Sequence, residues 1–166
     1  HRLIVNTVTE AKKTTGARLA YLERVKIQAE ILEPLYRRLK TEVGLYRARA
    51  MLKEAVNEFA SGLGREIAEG PGSGPLDKLR NFFPAFTDGD ALEIEPIETT
   101  DTNLTFKVRR CKYAEFFREF SDPEFGRLMV CGIDPPMTSA IDANLKLERK
   151  QTLMEGADHC DFHWYT

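Results

Sequence analysis

Between Glu155 and Trp164 the chain sets a thiol, two imidazoles and three carboxylates around a single glycine: Glu155-Gly156-Ala157-Asp158-His159-Cys160-Asp161-Phe162-His163-Trp164. A thiol attacks carbon only as a thiolate, so a cysteine with proton carriers nearby is a candidate nucleophile. The chain has two other cysteines, Cys111 and Cys131, both also in its C-terminal half. The competing reading of any one of them is a small apolar filler of the core.

Local context separates the three thiols. Cys111 ends a predicted strand just before a predicted helix, whose free N–H groups and positive dipole end favour a thiolate. Arg109 and Arg110 add positive charge. Cys131 falls at the C-terminal end of a predicted helix, where the dipole disfavours an anion. Cys160 lies on the last predicted strand, and period-two alternation sends Cys160, Phe162 and Trp164 to one side. Asp161, His163 and Tyr165 go to the other, and His159 points with them. A Cys160–His163 dyad therefore needs a bulge or an imidazole reaching round the strand edge. Phe162 and Trp164 make an apolar wall beside the thiol, suited to a pocket floor or to an ordinary core.

Four further residues bear on the chemistry. Asp134, three residues after Cys131, either orients a base or a water or caps the next turn. Arg149 alternates in phase with Leu145 and Leu147, hence inward, where it would meet a substrate carboxylate or close an ion pair at the sheet rim. Glu115 and Glu119 share a helix face, with Glu115 the nearer to Cys111. The Cys and His spacings match no paired CxxC zinc arrangement, although Cys160 with His163, or His159 with Cys131, could converge in space. No metal and no cofactor is expected.

These residues need elements to carry them. Leu22, Val25, Ala29, Leu32, Leu35 and Leu39 recur at helical spacing over roughly Lys12 to Glu42, with a kink or fresh start expected at Pro34. Gly44 is the expected stop before a second helix bearing Leu45, Ala48, Leu52, Ala55, Phe59, Leu63 and Ile67 on one face. Glu69 to Pro75 holds three glycines and two prolines and reads as a loop. A short helix over Leu76 to Phe83 should end at Pro84. Ala91 to Thr99 and Thr102 to Arg110 read as strands joined near Thr100-Asp101, with Pro96 confining the first to an edge. Helices follow over Tyr113 to Phe120 and Pro123 to Val130, the second capped by Asp122. A strand over Leu145 to Lys150, a turn at Gly156 to Asp158 and a strand over Cys160 to Tyr165 complete an α+β pattern: N-terminal helices packed on an antiparallel β-sheet with inserted helices. One domain is expected over 1–166, with a helical part over 1–68 and an α+β part over 76–166.

Composition narrows the setting. With 42% apolar and 30% charged residues and a net charge of -2, the chain points neither to nucleic acid nor to an anionic membrane. No apolar run approaches the length of a membrane span, and no signal-peptide pattern is seen, although the sequence opens at His1 rather than Met. An odd number of scattered cysteines fits free thiols in a reducing cytoplasm. Pairing of two copies through the helical half is left open, without a clear heptad seam.

Three ordered cysteine-centred pieces carry a family resemblance: Arg110-Cys111-x-Tyr113-Ala114-Glu115-Phe116-Phe117, Leu128-x-x-Cys131-x-x-Asp134, and Leu145-x-Leu147-Glu148-Arg149-x-x-Thr152-Leu153-x-x-Gly156-x-Asp158-x-Cys160-Asp161-Phe162. With Leu35-Tyr36-x-x-Leu39 and Gly44, they resemble the L-2-amino-thiazoline-4-carboxylic acid hydrolase family from about Leu32 nearly to the end. The resemblance implies hydrolytic opening of a small heterocycle, and makes Cys111, Cys131, Asp134, Arg149, Asp158, Cys160 and Asp161 site candidates. His163 stands where an arginine-like residue is expected, which suggests a different substrate. The reading is a cofactor-independent hydrolase opening a cyclic amide, amidine or thiazoline. Cys160 is the first-choice nucleophile and Cys111 the second. His163 or His159 would move protons, Asp134 would orient the base or the water, and Arg149, Asp158, Asp161 and Trp164 would contact substrate. The alternative class is a non-catalytic ligand-binding or thiol- or metal-sensing module. A third is a structural domain with all its cysteines buried.

Overall fold

The structure is a computed structural model that describes residues 19–166; the part of the first expected helix before Leu19 lies outside them. Helix α1 (Tyr21–Val43) buries Leu22, Val25 and Ala29, and then Tyr36 in place of Leu35, which is 51% exposed. Pro34 starts no new helix. It sits on the exposed side of a continuous one, where water can serve the carbonyl that proline cannot bond. Gly44, at φ 81°, separates α1 from α2 (Leu45–Glu69), as its place in the sequence suggests.

On α2 the expected face holds at Ala48, Leu52, Leu63 and Ile67, but Val56 and Ala60 are buried where Ala55 and Phe59 were expected. The helix packs against α1 on one side and α6 (Asp134–Ile141) on another, so its buried surface is wider than a single stripe. Contact with α6 is made at Gly64, where an added Cβ would stand 2.4 Å from the Met137 carbonyl oxygen. Helix α6 answers to no expected helix. Its Pro135-Pro136 pair occupies the first turn of the helix, where a missing N–H costs nothing. Helix α3 (Pro75–Thr87) likewise runs past Pro84. Phe83 packs on Phe106 before the proline and Phe86 packs on Tyr21 after it, and these contacts hold the final turn in place.

Four strands form an antiparallel sheet in the order β1 (Leu92–Thr99), β2 (Asn103–Cys111), β4 (Cys160–Tyr165), β3 (Lys146–Glu148). Pro96 does lie on an edge strand, beside a register shift. In the centre, Val108 faces Cys160, Phe106 faces Phe162, and Leu104 faces Trp164. Directly opposed residues share a sheet face, so both strands turn their apolar side chains the same way, toward the helices. Helices α4 (Lys112–Phe120) and α5 (Pro123–Met129) follow β2, with the Asp122 carboxylate accepting from the Phe125 N–H at 2.8 Å. Helices come first and a sheet with inserted helices follows: an α+β fold. Among the described residues, no helix is long and apolar enough to cross a membrane.

Candidate functional site

The covered face of the sheet does not close completely against the helices. A cavity of about 90 Å³ remains, and Cys111, Cys131 and Cys160 all line it together with Asp134 and Arg149. Cys111 comes from the end of β2, Cys160 from the start of β4, and Cys131 from the 3₁₀ turn Cys131–Ile133 that links α5 to α6. The remaining wall is mainly aromatic. Phe106, Phe162 and Trp164 come from the sheet, and Phe162 stacks on Trp164 at 5.0 Å. Phe83 and Phe86 of α3, Tyr21 of α1 and Tyr113 of α4 complete it. These last four were not among the expected site residues. The Phe82-Phe83-x-x-Phe86 run was the available signal, because an aromatic cluster on so short a helix must cover something. A larger cleft, about 690 Å³, lies against α1, α2 and α3, but it contains none of the cysteines.

Burial dominates the electrostatics. It pushes the Cys111 thiol up to about 11, against the pull of the Ala114 and Tyr113 N–H groups at the start of α4. Burial pushes Cys131 higher still, against nearby Arg149. Cys160 is also raised by burial, while the Leu153 N–H, which donates to its sulfur at 3.2 Å, and Arg149 draw it back down. All three are therefore thiols at neutral pH, and one must lose its proton as it reacts. Arg109 and Arg110 do not assist Cys111, since each is engaged at the surface, with Glu95 and Glu115 respectively. Glu115 is thereby held on the surface and away from the cavity.

Arg149 and Asp134 form a half-buried pair at the edge of the cavity. The guanidinium donates to the Asp134 carboxylate and, at 2.9 Å, to the Cys131 carbonyl, and lies 5.1 Å from the Phe162 ring. Burial pushes the Asp134 carboxyl up to about 6, even with Arg149 beside it. Asp134 thus has a specific partner and does more than cap a turn.

Four of the other expected site residues, His163, His159, Asp158 and Asp161, lie off the cavity. His163 is on the opposite sheet face, with Nε2 3.0 Å from Asn103 Oδ1 and Nδ1 3.8 Å from Glu148, as alternation on a regular strand requires. His159 bonds to Asp158 at 2.6 Å and to Gln151. Asp161 accepts from the N–H groups of Lys150 and Gln151 at 3.0 and 2.8 Å. Asp158 and Asp161 thus hold the Lys150–Gln151 segment, which lies between Arg149 and the Leu153 N–H aimed at Cys160. Trp164 does line the cavity, with its indole N–H fixed on Thr138 Oγ1 at 2.9 Å. Among the described residues, no group of three His, Cys, Asp or Glu side chains is placed to hold a metal ion.

Comparison with known proteins places this arrangement. A family model described as L-2-amino-thiazoline-4-carboxylic acid hydrolase matches residues 24–164. No curated protein matches the chain. Among solved structures, the chain is similar to the phenol-responsive sensory domain of the transcription activator PoxR, crystallised with phenol, at 17% identity and a TM-score of 0.51. That match covers 81% of this chain and 72% of the other, and is a likeness of fold.

Proposed function

We propose, on the premise that this chain belongs to the L-2-amino-thiazoline-4-carboxylic acid hydrolase family, that it hydrolyses a small heterocyclic ring through a cysteine nucleophile. The observation that carries the reading is the convergence of three thiols, from separate stretches of the chain, on one aromatic-walled cavity beside an acid–base pair. A ring of five or six atoms is the right scale for so small a space.

Cys160 is the preferred nucleophile. A backbone N–H already points at its sulfur, and Arg149 favours its anion. With both imidazoles off the cavity, proton transfer passes to Asp134, whose raised pKa keeps it basic enough to accept a proton near neutrality. In the first step the Cys160 sulfur bonds to the sp² ring carbon as its proton passes to Asp134. The tetrahedral species then collapses, the bond from that carbon to the ring nitrogen or sulfur breaks, and the leaving atom takes the proton. Water next attacks the same carbon and releases the sulfur, so the sum is substrate plus one water. Arg149 holds Asp134 ionised and in place, and the aromatic walls grip the ring.

Single Cys→Ser variants, assayed by mass spectrometry for gain of one water on cyclic amides, amidines and thiazolines, test the assignment. Cys160→Ser should lose at least a hundredfold in rate, while full activity in that variant would remove Cys160 as the nucleophile.

A second reading has its own support. Three thiols kept protonated by burial, in a small aromatic pocket on a fold shared with a phenol-responsive domain, suit a module that binds a small ring without converting it. Saturable binding of such rings, with no turnover by wild type across the same screen, would favour this reading.

A further inference from the structure

Tyr21 is the residue of the cavity wall whose polar atom is left over. It opens α1, and its ring is held by aromatic packing: edge-on to Phe86 at 5.2 Å and tilted against Tyr113 at 6.2 Å. The other strong donors around the cavity are engaged. Tyr113 donates its O–H to the Phe86 carbonyl at 3.0 Å, and Trp164 donates its N–H to Thr138. Arg149 donates to Asp134 and to the Cys131 carbonyl. The Tyr21 hydroxyl has no hydrogen-bond partner among the described residues. Tyr21 also borders the larger cleft against α1, α2 and α3, but Phe86 and Tyr113, its ring neighbours, line the inner cavity and not the cleft. They set it on the inner side. Burial agrees with that placement, pushing the hydroxyl up to about 12 against the pull of Arg24, while Asp134 at the cavity edge pushes the same way. A hydroxyl kept from water without a partner costs stability, and folded chains seldom retain one idle. Tyr21 precedes residues 24–164, the span of the family match, so that match assigns it no role.

We infer that the Tyr21 hydroxyl is the donor that orients the bound ring, giving its hydrogen bond to an acceptor atom of the ligand, a carbonyl oxygen or an imine nitrogen. The inference rests on the inner cavity being the seat of the ring, and it adds the residue that reads the ring's polar edge. The proton stays on the tyrosine, since a hydroxyl that titrates so far above neutrality donates without ionising. In ring opening the acceptor atom sits on the carbon that Cys160 attacks. It gains negative charge as sulfur adds, and the same hydrogen bond strengthens.

Cyclopentanone and methylenecyclopentane share a ring and differ in whether the exocyclic atom accepts a hydrogen bond. Their binding, followed through the fluorescence of Trp164 in the cavity wall, tests the assignment. Tyr21→Phe keeps the ring that packs on Phe86 and Tyr113 and removes only the hydroxyl. It should weaken cyclopentanone about fivefold and leave methylenecyclopentane unchanged. Unchanged affinity for cyclopentanone would overturn the inference, because the hydroxyl would be idle. Equal loss of both probes would also overturn it, because the hydroxyl would then support the wall and not the ligand; in either case binding by wild type leaves the ring site standing. If neither probe binds wild type, the inner cavity is not a ring site and the inference fails with it. Should the fivefold difference appear while no cyclic amide, amidine or thiazoline is opened, the hydrolase reading fails and Tyr21 stands as the donor to a bound ring.

Discussion

Asp134 carries the clearest consequence at the scale of single residues. Burial pushes its carboxyl up to about 6 from 3.8, so between these values the folded chain keeps a proton that the unfolded chain releases. The stability this contributes is complete below about pH 4 and is lost as pH rises through about 6, with a size on the order of 2–3 kcal/mol. Asp134→Asn cannot show that loss. Urea titrations at steps from about pH 4 to pH 7 should find wild type losing stability relative to the variant across this window, and parallel curves would contradict it. Under the proposed mechanism only the carboxylate accepts the Cys160 proton, so kcat/KM should climb through about pH 6 in wild type. The direction in which Arg149 points was readable from strand alternation. Its partner was not, because Asp134 sits on a helix that the sequence disguises behind two prolines. His163 stands off the cavity for the reason alternation offered: adjacency along a strand is opposition across a sheet.

At the scale of elements, the strands were legible and the helix contacts were not. Period-two patterns in β2 and β4 each point one apolar face inward, and two such strands can pair around the cavity in few registers. A helical stripe is less restrictive, since residues one step round from it are buried wherever a second helix approaches, as at Val56 and Ala60. The approach of α6 to α2 depends on the absence of a side chain at Gly64, and a paired substitution exposes this. Alanine normally stabilises a helix over glycine by about 1 kcal/mol. At Gly62 the new Cβ would find only the Arg65 guanidinium, 3.8 Å away, so Gly62→Ala should gain about 0.5–1 kcal/mol. At Gly64 it would meet the Met137 carbonyl at 2.4 Å and Ala140 Cβ at 2.7 Å. A backbone carbonyl cannot rotate aside, so overpacking exceeds the propensity gain, and Gly64→Ala should lose about 1–3 kcal/mol. Urea unfolding of the two variants should show midpoints moving in opposite directions; a shared direction would mean that α6 does not rest on α2 at this contact.

For the molecule as a whole, the cavity is a joint product of its helical and sheet halves. Tyr21 of α1 and Phe86 of α3 face Cys111 and Cys160 of the sheet across it, and the buried side chains of both halves form one connected core. None of this long-range meeting is encoded in local periodicity, which is why the N-terminal aromatic residues escaped the sequence reading while the cysteine motifs did not. The arrangement implies that the halves unfold together. Trp164, the only tryptophan, reports from the cavity wall, while far-ultraviolet circular dichroism reports chiefly from α1 and α2. Denaturation curves from the two signals should therefore superimpose. A ring ligand at about a hundred times its Kd should then add about 2.7 kcal/mol to both equally, because it binds only where both halves are in place. Were the dichroism curve to stay unmoved while the fluorescence curve shifted, the helices would be folding independently of the cavity, and Tyr21, Phe83 and Phe86 could not be part of its working wall.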